Sequence, residues 1–245
     1  MAPGVLSALL VLGAVFSQEP APPKALFVVD GAGGFFTCSN AYLRSTATIA
    51  PDVQVIPHLW SHGFRRYMAD QMDAPHAHRK GEDLASQITN WKNAHPGGKV
   101  WLLGHSAGCH VAIHAAAKLP PDSLEKTALL LPSCSTTADI QGALRASRLG
   151  VHVWYSEADW FVLGLIMKVS GCGDDRSTSR AAGRFGFQPV PKDPGEIEMM
   201  KTRLRQYPWH RDHIQLGHNG GHYGAYRSPF SQLVVLPILF GETVD

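Results

Sequence analysis

The residues Lys99-Val-Trp-Leu-Leu-Gly-His-Ser-Ala-Gly108 constrain this chain more than any others. Residues 100–103 are a short apolar run entered from Pro96-Gly97-Gly98, the pattern of a buried strand leaving a turn. From Ala107 to Lys118 the residues are mostly small or apolar, without Gly or Pro after Gly108, which favours helix. A strand that enters a helix through Gly104-His105-Ser106-Ala107-Gly108 must turn tightly at the serine and push its hydroxyl out above the sheet. Side chains two residues before and after the serine would have no room, which accounts for both glycines. The helix that follows aims its unpaired N–H groups and positive dipole end back at the hydroxyl. The bland alternative is a turn whose serine merely caps the helix.

Upstream, residues 25–29 form a continuous apolar strand ending at Asp30, followed by Gly31-Ala-Gly-Gly34. A glycine-rich turn at a strand's carboxyl end lets backbone N–H groups face a crevice, where they can donate to an oxyanion. The rival reading, a dinucleotide loop, lacks the last glycine of its G-x-G-x-x-G pattern. Residues 53–56 read as a second strand and 67–78 as a loop without clean period. His76 and His78 in that stretch read as surface residues rather than a metal pair. Residues 81–93 show helical spacing at Leu84, Ala85, Ile88 and Trp91. Strands are expected again at 128–131 and 151–155, with a short helix at 140–148 between them. This β/α alternation from residue 25 to 160 is the mark of a mainly parallel, doubly wound sheet, whose active groups gather at the carboxyl ends of strands. Asp30, Ser106, Asp139 and Asp159 all fall at such ends. Beyond residue 160 a helix is expected at 196–205, a last strand at 213–216 and an apolar helix at 230–240 interrupted by Pro237.

Composition narrows the class. A chain of 245 residues, 44% hydrophobic and 17% charged, suits one α/β domain with a sizeable core. A net charge of +2 gives no ground for a nucleic-acid or anionic-membrane partner. Residues 1–17 read as a secretory signal with cleavage before Gln18, lacking only a basic residue at the start, and 18–24 as a Pro-rich leader. No later segment is a membrane-span candidate. Cys38, Cys109, Cys134 and Cys172 are compatible with disulfides in an exported chain, without a spacing that selects a pairing or a zinc site.

A serine hydroxyl needs a base within hydrogen-bond reach, itself oriented by a carboxylate. The order Ser106, Asp159, His222, with His222 inside Gly220-Gly221-His222-Tyr-Gly224, resembles the α/β-hydrolase superfamily over residues 25–240. The resemblance implies a single α/β-hydrolase domain over 25–245 with no large cap, because only about twenty residues separate the strands at 131 and 151. It implies Ser106 as nucleophile, His222 as base and Asp159 as the orienting acid, with Asp139 and Glu157 as other acids and His218 as the other base. His105 is expected to pack. The oxyanion donors it implies are the N–H of Ala107 and that of Ala32 or Gly33. Such a site needs no cofactor and no metal, and its activity should fall as His222 takes up a proton.

The expected function is therefore an exported serine esterase or lipase acting on a small or polymeric ester. Thioesterase, peptidase or an inactive binding protein on the same fold are the alternatives. A metal-dependent hydrolase using His210, His213, His218 and His222 has no recognised ligand spacing behind it. The pocket is expected to be shallow unless residues 160–163 and 171–187 fold over it as a partial lid.

Overall fold

The computed structural model describes residues 21–241, so the signal-like segment 1–17 lies outside the described residues. Six strands form one sheet: β1 (Lys24–Val29), β2 (Val53–His58), β3 (Lys99–His105), β4 (Thr127–Leu130), β5 (Val151–Tyr155) and β6 (Leu204–Pro208), in the order β2-β1-β3-β4-β5-β6. Every pairing is parallel. Parallel strands are covered on both faces, which is why the central runs 25–29, 100–103 and 128–130 are apolar without alternating. In β1, Ala25, Phe27 and Val29 enter one core while Leu26 and Val28 enter the other.

The first core is closed by α3 (Ala74–Ala94), α4 (Gly108–Lys118), α5 (Gln141–Ala146) and α8 (Pro194–Arg203). The second is closed by α1 (Thr37–Ile49) and by the helical stretch formed by a π-type segment, Ser231–Val235, and α9 (Leu236–Phe240). Short elements complete the chain: α2 (Tyr67–Met72), a π-type segment (Phe161–Ile166) running into α6 (Met167–Ser170), and α7 (Ala182–Phe185). No helix among the described residues is long and apolar enough to cross a membrane.

The sheet order reverses between β1 and β3, because β2 lies on one side of β1 and all later strands on the other. A crevice opens at the carboxyl ends of two such strands, where their connections diverge to opposite faces. Here those ends carry the glycine turn 31–34 and Ser106.

Four expectations are corrected. The stretch 67–78 is helical, in α2 and the first turn of α3, whose cap is Asp73 accepting from the His76 N–H at 2.9 Å. The last strand is β6, and the helix before it stops at Arg203. Residues 213–216, expected as that strand, belong to a 3₁₀ turn, Arg211–Leu216, with Ile214 exposed. The stretch 171–187 is no lid: Gly183 N donates to the Pro132 carbonyl and Ser156 N to that of Gly183, tying the segment between the ends of β4 and β5.

Candidate active site

Ser106 sits between β3 and α4 with φ of 53°, a left-handed conformation that strains any residue with a Cβ. Its neighbours explain how the strain is held. A Cβ added at Gly108 would lie 2.2 Å from the Asp30 carbonyl oxygen, and one at Gly104 2.9 Å from Cys109 Cα. The turn thus closes only with glycine at both places. Backbone hydrogen bonds from Ser106 N to Leu130 O and from Ser133 N to Ser106 O fix it to β4 and the loop after it.

The Ser106 hydroxyl donates to His222 Nε2 at 2.8 Å, and His222 Nδ1–H donates to Asp159 Oδ2 at 2.5 Å. All three side chains are buried. Asp159 follows β5, and its second oxygen faces the Leu163 N–H at 3.4 Å. The other carboxylates are elsewhere: Asp139 is exposed, bonding Lys192 and accepting from Gln141 N, and Glu157 is exposed. His218 makes no hydrogen bond to Ser106. It accepts from Gly220 N, and Gly224 packs so closely on it that a Cβ there would lie 1.9 Å from Nδ1. Burial pushes His218 down to about 4, so it stays neutral and shapes the loop that carries His222.

With a parallel sheet wound on both faces, a strained serine at the switch point, and a carboxylate and an imidazole arriving after later strands, the architecture is decided. It is an α/β-hydrolase-like fold. No family model matches the chain, and no curated protein matches it. Among solved structures, this hydrolase-like chain is similar to a thermophilic esterase from the planctomycete Thermogutta terrifontis, at 12% identity over 93% of this chain and 85% of that one, with a TM-score of 0.47. It is similar to an acetylxylan esterase at 11% identity, over 84% of this chain and 91% of that one, with a TM-score of 0.46. It is also similar to an uncharacterized Bacillus cereus protein at 16% identity, with a TM-score of 0.42, covering 77% of this chain and 61% of that one's length.

The two turns that face the hydroxyl differ in how their N–H groups are spent. Gly33 N donates to Asp70 Oδ2 at 2.7 Å, whereas no hydrogen bond among the described residues engages the N–H of Ala32 or of Ala107. Of the alternatives on the glycine turn, Ala32 is therefore the one with a hydrogen to offer. Gly31 brings this turn against the serine, since a Cβ there would lie 3.2 Å from Ser106 Cβ.

Two functional neighbours carried no sequence signal beyond their position. His105, expected only to pack, donates from Nε2 to the His222 carbonyl at 3.0 Å. Burial, with the nearby His222 adding to it, drives His105 down to about 3, so it is a permanently neutral donor. Asp30 holds the N-terminus of α1 by accepting from Cys38 N and Ser39 N through Oδ1, while its buried Oδ2 has no partner. Desolvation raises its pKa, outweighing those hydrogen bonds.

A cavity opens above Ser106. It has a volume of about 820 Å³, and its walls are chiefly apolar: Phe35 and Tyr67 on one side, Phe161, Leu165 and Ile166 on the other, Tyr223 beside His222. The half of the expected lid that begins at Trp160 is thus a wall of the cavity. The four cysteines are free and buried, and burial pushes the thiols of Cys38, Cys109 and Cys134 far up and that of Cys172 to about 12. None is a thiolate at neutral pH.

Proposed function

We propose that this chain is a serine hydrolase of carboxylic esters whose acyl group is apolar. The observation that carries the reading is a strained serine, 2.8 Å from a buried imidazole, at the floor of an 820 Å³ apolar cavity. The Ser106 oxygen attacks the ester carbonyl as its proton passes to His222 Nε2, and the imidazolium is stabilised by Asp159. The tetrahedral oxyanion takes hydrogen bonds from the N–H groups of Ala107 and Ala32, each worth about 3 kcal/mol in the transition state. Collapse breaks the ester C–O bond, and the leaving alkoxide takes the proton from His222. Water, deprotonated by the same imidazole, then releases the acid from the acyl-serine.

The cavity favours a hydrocarbon acyl chain over acetate, because each buried methylene contributes about 0.8 kcal/mol, roughly fourfold in kcat/KM. Residues 1–17 direct the chain to export in this reading, and a secreted product beginning near Gln18 is its mark. The deciding experiment is labelling by a fluorophosphonate, beside Ser106→Ala and His222→Ala, followed by p-nitrophenyl esters of increasing acyl length. Labelling of wild type alone, with rate rising along the series, is the expected result. A folded wild type that fails to label returns the chain to the binding-protein reading.

A further inference from the structure

Away from the serine, the loop after β2 and the first turn of α3 bring together two histidines and a carboxylate. The ligating atoms of His62, Asp73 and His76 all lie within 4.8 Å of one another, and the two imidazoles stack with ring centres 3.8 Å apart. Each of the three has its other polar atom already committed. His62 Nδ1 lies 2.9 Å from Asp70 Oδ1, and the Asp70 side chain has no solvent exposure. His76 Nε2 lies 2.6 Å from the Trp60 carbonyl oxygen. Asp73 spends Oδ1 on the N–H of His76 as the cap of α3. Carboxylates and carbonyls only accept, so those two ring nitrogens carry the hydrogens. His62 Nε2, His76 Nδ1 and Asp73 Oδ2 are left as lone-pair donors.

His62 Nε2 and Asp73 Oδ2 face each other at 3.2 Å. Two lone pairs at that distance repel unless positive charge sits between them or beside them. A metal ion supplies it. Two ligands about 2.0–2.1 Å from a tetrahedral zinc ion are themselves about 3.3 Å apart. We propose that His62 Nε2, Asp73 Oδ2 and His76 Nδ1 form a binding site for a divalent transition-metal ion of the zinc class.

Two imidazoles and one carboxylate suit that class, whereas magnesium and calcium take oxygen ligands. Asp70 and the Trp60 carbonyl are the outer partners that fix the tautomers, an arrangement typical of histidine ligands. The ion reaches the site from solvent, because the side chains of His62 and Asp73 are 23% and 40% exposed. None of the three ligands lines the substrate cavity. Asp70 nevertheless also holds Gly33 N, next to Ala32. A bound ion braces the glycine turn from behind and takes no part in the ester chemistry. No sequence spacing announces the site, because His76 is paired in space with His62 and not with His78, which instead meets His110.

The test uses the full chain, stripped by a chelator and titrated calorimetrically with zinc, then with cobalt(II) followed by visible absorption. One equivalent per chain is expected, with a rise in Tm and no heat from magnesium or calcium. Affinity should fall at least tenfold in His62→Gln/His76→Gln and about tenfold in Asp70→Asn, which keeps all three ligands but weakens the outer partner of His62. His210→Gln/His213→Gln should bind as wild type does. No stoichiometric zinc binding, or binding undiminished in His62→Gln/His76→Gln, overturns the proposal. If that variant does not fold, X-ray absorption of zinc-bound wild type decides: two imidazoles with oxygen support the site, and thiolate or a single imidazole overturns it. These readouts do not involve ester hydrolysis, so the site stands or falls separately from the proposed activity.

Discussion

The floor and the wall of the cavity are built on opposite principles. The floor, made of Ser106, His222 and His105 and backed by Asp159 on His222, is buried and polar, and each of these side chains hydrogen-bonds another of them or its backbone. The wall, residues 161–169, is apolar and sits on short π-type and α turns, with Phe161, Leu165 and Val169 more than half exposed. Buried polar networks hold one arrangement because every alternative strands a donor or acceptor. Exposed apolar side chains on irregular turns are held by little and adapt cheaply. On the proposed function, the contrast gives chemistry to the buried polar part and acyl selection to the exposed apolar part.

Substitutions break this division in order of size. Ser106→Ala should abolish fluorophosphonate labelling and lower kcat by roughly 10⁵–10⁶-fold with Tm preserved. Asp159→Asn should lower kcat by about 10⁴-fold, because the base loses the acceptor that fixes its tautomer. His105→Phe keeps the ring volume but removes the donor to the His222 carbonyl, misplacing the base by a fraction of an ångström. It should lower kcat by roughly 10–100-fold with KM nearly unchanged. In the wall, Phe161→Ala or Leu165→Ala should cost about tenfold in kcat/KM for long acyl esters and little for acetate. A wall substitution that damaged acetate hydrolysis as much as octanoate would erase the distinction.

Acid should attack the floor in steps of similar size. His105 and His218 are held by burial at about 3 and about 4, against 6.5 for a free histidine. Between about pH 6.5 and 4 the unfolded chain takes up protons that the native chain refuses, so stability present at neutral pH is lost on acidification. Each histidine contributes about 1.4 kcal/mol per pH unit across that window. Urea unfolding at pH 7 and pH 5 measures it, and His218→Asn should flatten the dependence.

The same contrast separates what could be read from the sequence from what could not. The floor was legible because its signals are local: the apolar run 100–103, glycines fixed by close approach at 104 and 108, and a histidine among glycines at 220–224. The first half of α3 was not, because its buried face there is made of Ala77 and Gly81, the latter pressed against His114. Small residues bury a helix without raising its apparent hydrophobicity. Strand β6 was missed for a related reason: Leu204, Arg205, Gln206 and Tyr207 are each half-buried, so no alternation shows. Ile214 and Leu216 imitated one while standing on a 3₁₀ turn. His105 and Asp70 act through backbone atoms of other segments, which no spacing rule encodes.

The reacting groups are also far apart along the chain, Ser106 and His222 by 116 residues and Asp159 and His222 by 63. During synthesis the sheet grows from its amino-terminal strands, and long-range contacts form last. Until the loop after β6 brings in His222, Ser106 has no imidazole beside it and Asp159, already made after β5, has nothing to link it to the serine. On the proposed function, a half-made chain would therefore be chemically inert toward esters, and the first turnover would report that the entire sheet has closed.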